Sequence, residues 1–219
     1  MNAILGFSEI LAGLEKDVQK RQYLDSVRTS GKSLLGLIND ILDLSKVEAG
    51  KLELQYKATD AKALCNELEQ IFAQKTQEQG IDLIIEADDL PEAIVVDELR
   101  LRQILVNLTS NAIKFTESGH VKIKATSEPT SEGTTVRFAV EDSGIGIPAD
   151  QQDKVFGAFE QTTGQSAAKF GGTGLGLAIS KRLAQMMNGD ITLTSEVGTG
   201  STFTVELRDL AVVSSDELA

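Results

Sequence analysis

Phe170-Gly171-Gly172-Thr173-Gly174-Leu175-Gly176-Leu177-Ala178-Ile179 runs a glycine-rich loop straight into an amphipathic helix. A helix that starts on glycines offers bare backbone N–H groups and the positive end of its dipole, which together suit a polyphosphate. The spacing excludes two common phosphate-binding designs. No Gly-Lys-Ser/Thr follows, as a Walker loop requires, and G-x-G-x-G departs from the dinucleotide fingerprint. The only Gly-Lys-Ser, Gly31-Lys32-Ser33, lies in a helical stretch and has Ser26 where the leading glycine would be.

Around this loop, strands and helices mix without regular alternation. Residues 52–57 alternate like a strand. Residues 60–79 read as a helix, capped by Thr59 or Asp60 and stopped at Gly80. A strand follows at 81–86, and Asp97 caps a helix running to Phe115. Residues 121–126 and 135–141 form a strand pair around a turn at 129–133. Residues 174–187 form a helix, and 191–194 with 201–207 close the chain as a hairpin around Gly198-Thr199-Gly200. This order predicts an α/β sandwich, with a mixed sheet carrying its helices on one face. Residues 211–219 read as a polar tail or the start of a linker.

Upstream, residues 1–48 lack proline and repeat apolar residues at helical spacing: Ile4, Phe7, Leu11 and Leu14, then Leu24, Val27, Leu34, Ile38, Ile41 and Leu44. Two helices turning near residues 15–18 are expected, the second about 30 residues long. Such a hairpin cannot bury its seam alone, so a second copy completing a dimeric four-helix bundle is the expectation. The alternative is that it folds back onto the rest of the chain. Glu48-Ala49-Gly50-Lys51 reads as a helix stop and junction. The expected domains are therefore 1–50, a dimerisation hairpin, and 51–209, a nucleotide domain, with 210–219 as tail. The whole is of the α+β class.

Composition narrows the partners. Of 219 residues, 33 are acidic and 21 basic, a formal charge of −12 that repels nucleic-acid backbones and anionic membranes. A nucleotide remains possible where backbone N–H groups and a divalent cation supply positive field. There is no membrane-length apolar run, so direct membrane contact is not expected, although a parent protein can still be membrane-anchored. The single cysteine, Cys65, fits a small core residue in a reducing, cytoplasmic setting.

Three further clusters carry chemistry. Glu141-Asp142-Ser143-Gly144-Ile145-Gly146-Ile147-Pro148 places a carboxylate at a strand end, suited to accept a hydrogen bond from an exocyclic amine, before glycines that let backbone approach a ligand. Taken alone, Asp-Ser-Gly is ordinary turn chemistry. Asn107, Asn111 and Lys114 share one face of an otherwise apolar helix. Buried amides need partners; magnesium and phosphate would supply them. Val155-Phe156-Gly157-Ala158-Phe159-Glu160-Gln161 reads as an apolar anchor before a mobile lid at 162–169.

In this order and spacing the four clusters resemble the N, G1, F and G2 boxes of the histidine-kinase branch of the GHKL ATPase superfamily, with Gly198-Thr199-Gly200-Ser201-Thr202-Phe203 as its last glycine box. The resemblance is strong over 97–207. Met1-Asn2-Ala3-Ile4-Leu5-Gly6-Phe7 and Leu42-Asp43-Leu44-Ser45-Lys46-Val47-Glu48-Ala49-Gly50 resemble parts of the HisKA dimerisation domain. The resemblance implies an ATP-dependent protein-histidine kinase, self-associating through residues 1–48 and passing phosphoryl to a response-regulator receiver domain. It implies that Asp142 binds adenine above a pocket floor shaped by Gly144 and Gly146. Asn111, with Asn107, holds Mg2+, and Lys114 contacts phosphate. Gly172, Thr173, Gly174, Leu175 and Gly176 serve the phosphates and lid hinge, and Phe159 anchors the lid. The family's acceptor histidine falls just before Met1, so the 219 residues are expected to bind ATP without phosphorylating themselves. His120, the only histidine, matches no family position and reads as an incidental strand residue. A hydrolysing GHKL machine of the chaperone or gyrase kind and a non-catalytic nucleotide-binding scaffold are the alternatives.

Overall fold

The computed structural model describes residues 1–158, 160 and 174–213, apart from the side chains of residues 40 and 48. The chain divides into two compact units, Met1–Leu52 and Glu53–Ala219.

The first unit is a helical pair, α1 (Asn2–Leu14) and α2 (Val18–Glu48), packed along each other. Local chemistry sets the break between them. The Glu15 carboxylate accepts from the N–H groups of Lys16 and Asp17 at 2.9 and 3.0 Å. Asp17 then caps α2 by accepting from Gln19 and Lys20. The helices come close at Gly31, where an added Cβ would lie 2.8 Å from Leu5 Cδ2. Much of the apolar stripe, including Ile4, Phe7, Leu11, Leu14, Leu34, Ile38 and Ile41, stays exposed on the single chain.

The second unit opens with β1 (Lys57–Thr59), α3 (Ala61–Gln79), β2 (Ile81–Asp89) and β3 (Ala93–Val96). After these come α4 (Glu98–Phe115), β4 (Gly119–Pro129), β5 (Thr134–Asp142) and the short α5 (Ala149–Gln152). A 3-10 turn (Lys154–Phe156), α6 (Gly176–Met186), β6 (Gly189–Glu196), β7 (Gly200–Leu210) and β8 (Val212–Val213) follow among the described residues. Asp60 is the cap of α3, accepting from Ala63 N–H at 2.8 Å, and Gly80 ends that helix in the left-handed region.

Five strands form one mixed sheet in the order β2-β4-β5-β7-β6, parallel only between β2 and β4. Its register aligns Val121, Ile123 and Ala125 with Asp142, Val140 and Phe138, and these with Ser201, Phe203 and Val205. All are buried, and the helices α3, α4 and α6 pack on the strands of this sheet. The alternate residues form a polar face, where Arg137 meets Glu206 at 2.7 Å and Lys122 meets Glu86 at 3.9 Å.

Two sequence expectations need correcting. Residues 52–56 are irregular, and the strand begins only at Lys57. One carboxylate diverts them: Asp97 caps α4 by accepting from Arg100 N–H at 3.1 Å while its other oxygen accepts from Gln55 N–H at 2.8 Å. Nor does the tail begin at residue 210. Leu210 is buried at the end of β7, Ala211 accepts from Val95 N–H at 2.9 Å, and β8 pairs with β3 in a second, three-stranded sheet, β1-β3-β8. Among the described residues no helix is long and apolar enough to cross a membrane.

Candidate functional site

Asp142 ends β5 on its buried face, one pleat beyond Val140, so the alternation that makes the core also delivers a carboxylate into it. Only 7% of the residue is exposed. Burial pushes its pKa above the ordinary aspartate value, opposed by backbone N–H groups of Gly144 and Ser201 that favour the charged form. The Gly144 contact is 2.9 Å.

The two glycines after it admit protein backbone. A Cβ on Gly144 would lie 2.4 Å from the Phe115 carbonyl at the end of α4, and one on Gly146, at φ +69°, 2.1 Å from the Glu196 carbonyl. The expected pocket floor is thus, in this structure, a close approach of chain to chain. Ser195 fastens the same corner. Its Oγ accepts from Ile147 N–H at 2.8 Å and donates to the Gly200 carbonyl at 2.9 Å, while Gln152 Nε2 donates to the carbonyls of Ile147 and Ser195.

The α4 face leads from this corner to the start of α6. Asn107, Asn111 and Lys114 are all half-buried. Asn111 lies one turn before Phe115, whose carbonyl meets Gly144. Lys114 is held below the usual lysine pKa by burial first and by the neighbouring charge of Lys75 second, and its Nζ lies 4.8 Å from the Phe115 ring centre. At the other end Asn107 donates from Nδ2 to Ser180 Oγ at 3.0 Å, and its Oδ1 would lie 2.4 Å from a Cβ on Gly176. From Asn107 to Phe115 the helix rises about 12 Å.

Helix α6 begins at Gly176 after Gly174, at φ +69°, and a fully buried Leu175, whose side chain makes no capping hydrogen bond. The first turn of such a helix presents backbone N–H groups that have no acceptor within the helix itself. The anchor and hinge residues Phe159, Gly172 and Thr173, and the expected lid at 162–169, lie outside the described residues. Within the expected apolar anchor the ring of Phe156 meets Phe203 edge-on at 6.1 Å, with Lys181 Nζ 4.5 Å from its centre. Ser180, Ser195 and Gln152 were missed. A polar residue one turn into an apolar helix was the only signal for Ser180.

His120 lies on the sheet face opposite Asp142, its Nε2 3.4 Å from Glu141 Oε1 and its N–H donating to Ser143 Oγ. Cys65 is fully buried and its thiol is pushed up to about 12, an inert core residue at neutral pH. Among the described residues no cluster of three or more His, Cys, Asp or Glu could hold a metal. A divalent ion here would take amide oxygens, water and phosphate, as magnesium does.

Comparison with known proteins agrees with this geometry. Residues 96–211 match the family described as histidine kinase-, DNA gyrase B- and HSP90-like ATPase, and residues 1–50 match the His Kinase A (phospho-acceptor) domain. The aerobic respiration control sensor protein ArcB of Escherichia coli is 42% identical over 95% of this chain, which spans 27% of that protein. The hybrid signal transduction histidine kinase B of Dictyostelium discoideum is 42% identical over 93% of this chain and 10% of its own length. The chain therefore spans at most about a quarter of these curated relatives. Full-length ShkA in complex with AMPPNP superposes with a TM-score of 0.80 at 35% identity, covering 98% of this chain and 44% of that one. With a HisKA segment leading into a GHKL-type ATPase domain, the chain belongs to the sensor histidine kinases of two-component signalling.

Proposed function

We propose that the chain binds Mg-ATP between the Asp142 corner and the N-terminus of α6, and that it donates the γ-phosphoryl group to a histidine of the HisKA helices, for relay to a receiver aspartate. One observation carries the reading: a buried carboxylate stands at one end of the α4 polar face, and the N-terminus of a glycine-led helix stands at the other. A purine amine suits the first, and a polyphosphate the second. The AMPPNP held by ShkA supports the same assignment.

In this reading Asp142 accepts the adenine amine, while Gly144 and Gly146 keep the corner closed. Asn111 offers magnesium an amide oxygen, and Lys114 meets phosphate charge from a half-buried position. Gly174, Leu175 and Gly176 shape the α6 start, and the expected roles of Gly172, Thr173 and Phe159 belong to the same proposal. Asn107 lines this face too. Magnesium held there by Asn111 would supply neutralisation of the phosphate charge. An imidazole nitrogen forms the new N–P bond, and the breaking P–O bond leaves its electron pair on ADP. The exposed hairpin stripe supports pairing with a second copy. The hybrid kinases among the relatives support a receiver domain as the next acceptor. ATP as donor and the free thiol of Cys65 support a cytoplasmic site of action. The HisKA match favours a kinase over a hydrolysing machine or a scaffold.

His120 is not the acceptor in this scheme, since the strand fixes it against Glu141 inside the nucleotide domain. Labelled ATP tests the proposal. Acid-labile, base-stable label should appear on an added histidine-bearing HisKA domain and not on the 219 residues alone. Label on the chain itself, lost on His120→Ala, would overturn it.

A further inference from the structure

Asn107 has neighbours that a metal ligand would not need. Its Nδ2 donates to Ser180 Oγ at 3.0 Å, although 73 positions separate them, and Ser180 is only 1% exposed. The same side chain presses on the start of α6: a Cβ on Gly176 would lie 2.4 Å from Asn107 Oδ1 and 3.0 Å from Cγ. Gly176 and Ser180 are one turn apart and share a face. Their contacts with Asn107 place that face against α4. A single amide thus grips the first two turns of α6, next to a cap residue, Leu175, whose side chain makes no capping hydrogen bond.

We infer that Asn107 is a positioning residue, which fixes the N-terminus of α6 against α4 through Gly176 and Ser180 and thereby aims its first N–H groups at the polyphosphate. This rests on the nucleotide reading above and deepens it. Asn111 and Asn107 then divide the work that sequence reading gave them jointly. Asn111 faces the ion, while Asn107 faces the helix that carries the phosphate donors. Ser180 enters the machinery although it touches no nucleotide. The glycine at 176 is required by contact as well as by the loop, because any Cβ there would push the amide away.

Three variants of the 219-residue chain, Asn107→Ala, Ser180→Ala and the double variant, separate this role from metal ligation. Calorimetry would titrate each with ATP, with ATP lacking magnesium, and with adenosine, and thermal unfolding would be followed alongside. Loss of one neutral hydrogen bond predicts about 3- to 10-fold weaker ATP binding for each single variant. The double variant should be no weaker than Asn107→Ala, because the two residues act through one link. The loss should be equal with and without magnesium, and adenosine affinity should not change. Ser180→Thr, which keeps the hydroxyl, should bind like the parent.

A silent Ser180→Ala, or an Asn107→Ala defect confined to the magnesium-loaded nucleotide, overturns the inference while leaving the nucleotide reading intact. Equal losses for ATP and adenosine with a lowered unfolding midpoint overturn it as well, since they report a merely structural role. Failure of the parent chain to bind ATP would sink the nucleotide reading first and this inference with it.

Discussion

Replacing Asp142 with asparagine changes one oxygen into an N–H2 group and leaves the shape of the side chain intact. The carboxylate has about four lone-pair sites. The N–H groups of Gly144 and Ser201 occupy two of them, which leaves acceptor capacity for an incoming amine. In the variant a donor can face the adenine amine, which is also a donor, so the charged hydrogen bond is lost. That loss is worth about 1.5–3 kcal/mol, or roughly a 10- to 150-fold weaker Kd for ATP. Stability should move the other way. Burial raises the folded-state pKa of Asp142 above its unfolded value, so its contribution is favourable below the unfolded pKa and is lost as pH rises through the folded one. At neutral pH the buried charge is therefore a cost, and Asp142→Asn should unfold no earlier than the parent. Calorimetric titration beside urea denaturation reads both. Unchanged ATP affinity refutes the adenine role, and a large drop in stability refutes the electrostatic account.

Four other outcomes follow from the same geometry. ATP affinity should fall with acid at a pH above the ordinary aspartate value of 3.8, because protonation of Asp142 removes the acceptor; a flat calorimetric profile down to that value contradicts this. Gly200→Ala should destabilise by about 3 kcal/mol or more in urea, since the residue sits at φ +131° and a Cβ would lie 1.9 Å from the Asp142 carbonyl. Ser195→Ala, which frees Ile147 N–H and the Gly200 carbonyl, should lose about 1–3 kcal/mol and raise hydrogen exchange at Ile147. Sedimentation should find the 219 residues dimeric, and a chain starting at Lys51 monomeric yet still binding ATP; a monomer at micromolar concentration for the longer chain counts against the bundle.

The parts of this fold that were legible in the sequence rest on local chemistry. Asp60 and Asp97 each precede a helix and each cap it, and Gly80 ends α3 as its type suggests. Asp142 was legible as a carboxylate at a strand end, and the alternation of β5 in the folded chain turns it inward. What escaped depends on distant partners. Residues 52–56 look like a strand but answer to Asp97, 42 positions from Gln55. β3 and β8, of four and two residues, are too short to show a period, and each pairs with a strand far away in the chain. The glycines of the Asp142 corner were recognisable as close-approach positions. That the approaching groups are the Phe115 and Glu196 carbonyls follows only from the folded chain.

That corner has a consequence for chemical intervention. Four glycines or serines, Gly144, Gly146, Ser195 and Gly200, bring three segments of backbone into contact around one carboxylate. Backbone held by such contacts has little freedom left to lose, so a small purine mimic that donates to Asp142 meets a receptor whose ordering is already complete. Fragments of few atoms should bind there with high efficiency per atom, and the gain should come without any help from the phosphate end. Resistance by substitution is correspondingly restricted: a Cβ at either 146 or 200 would overlap a carbonyl oxygen, and an uncharged residue at 142 would weaken the nucleotide along with the inhibitor.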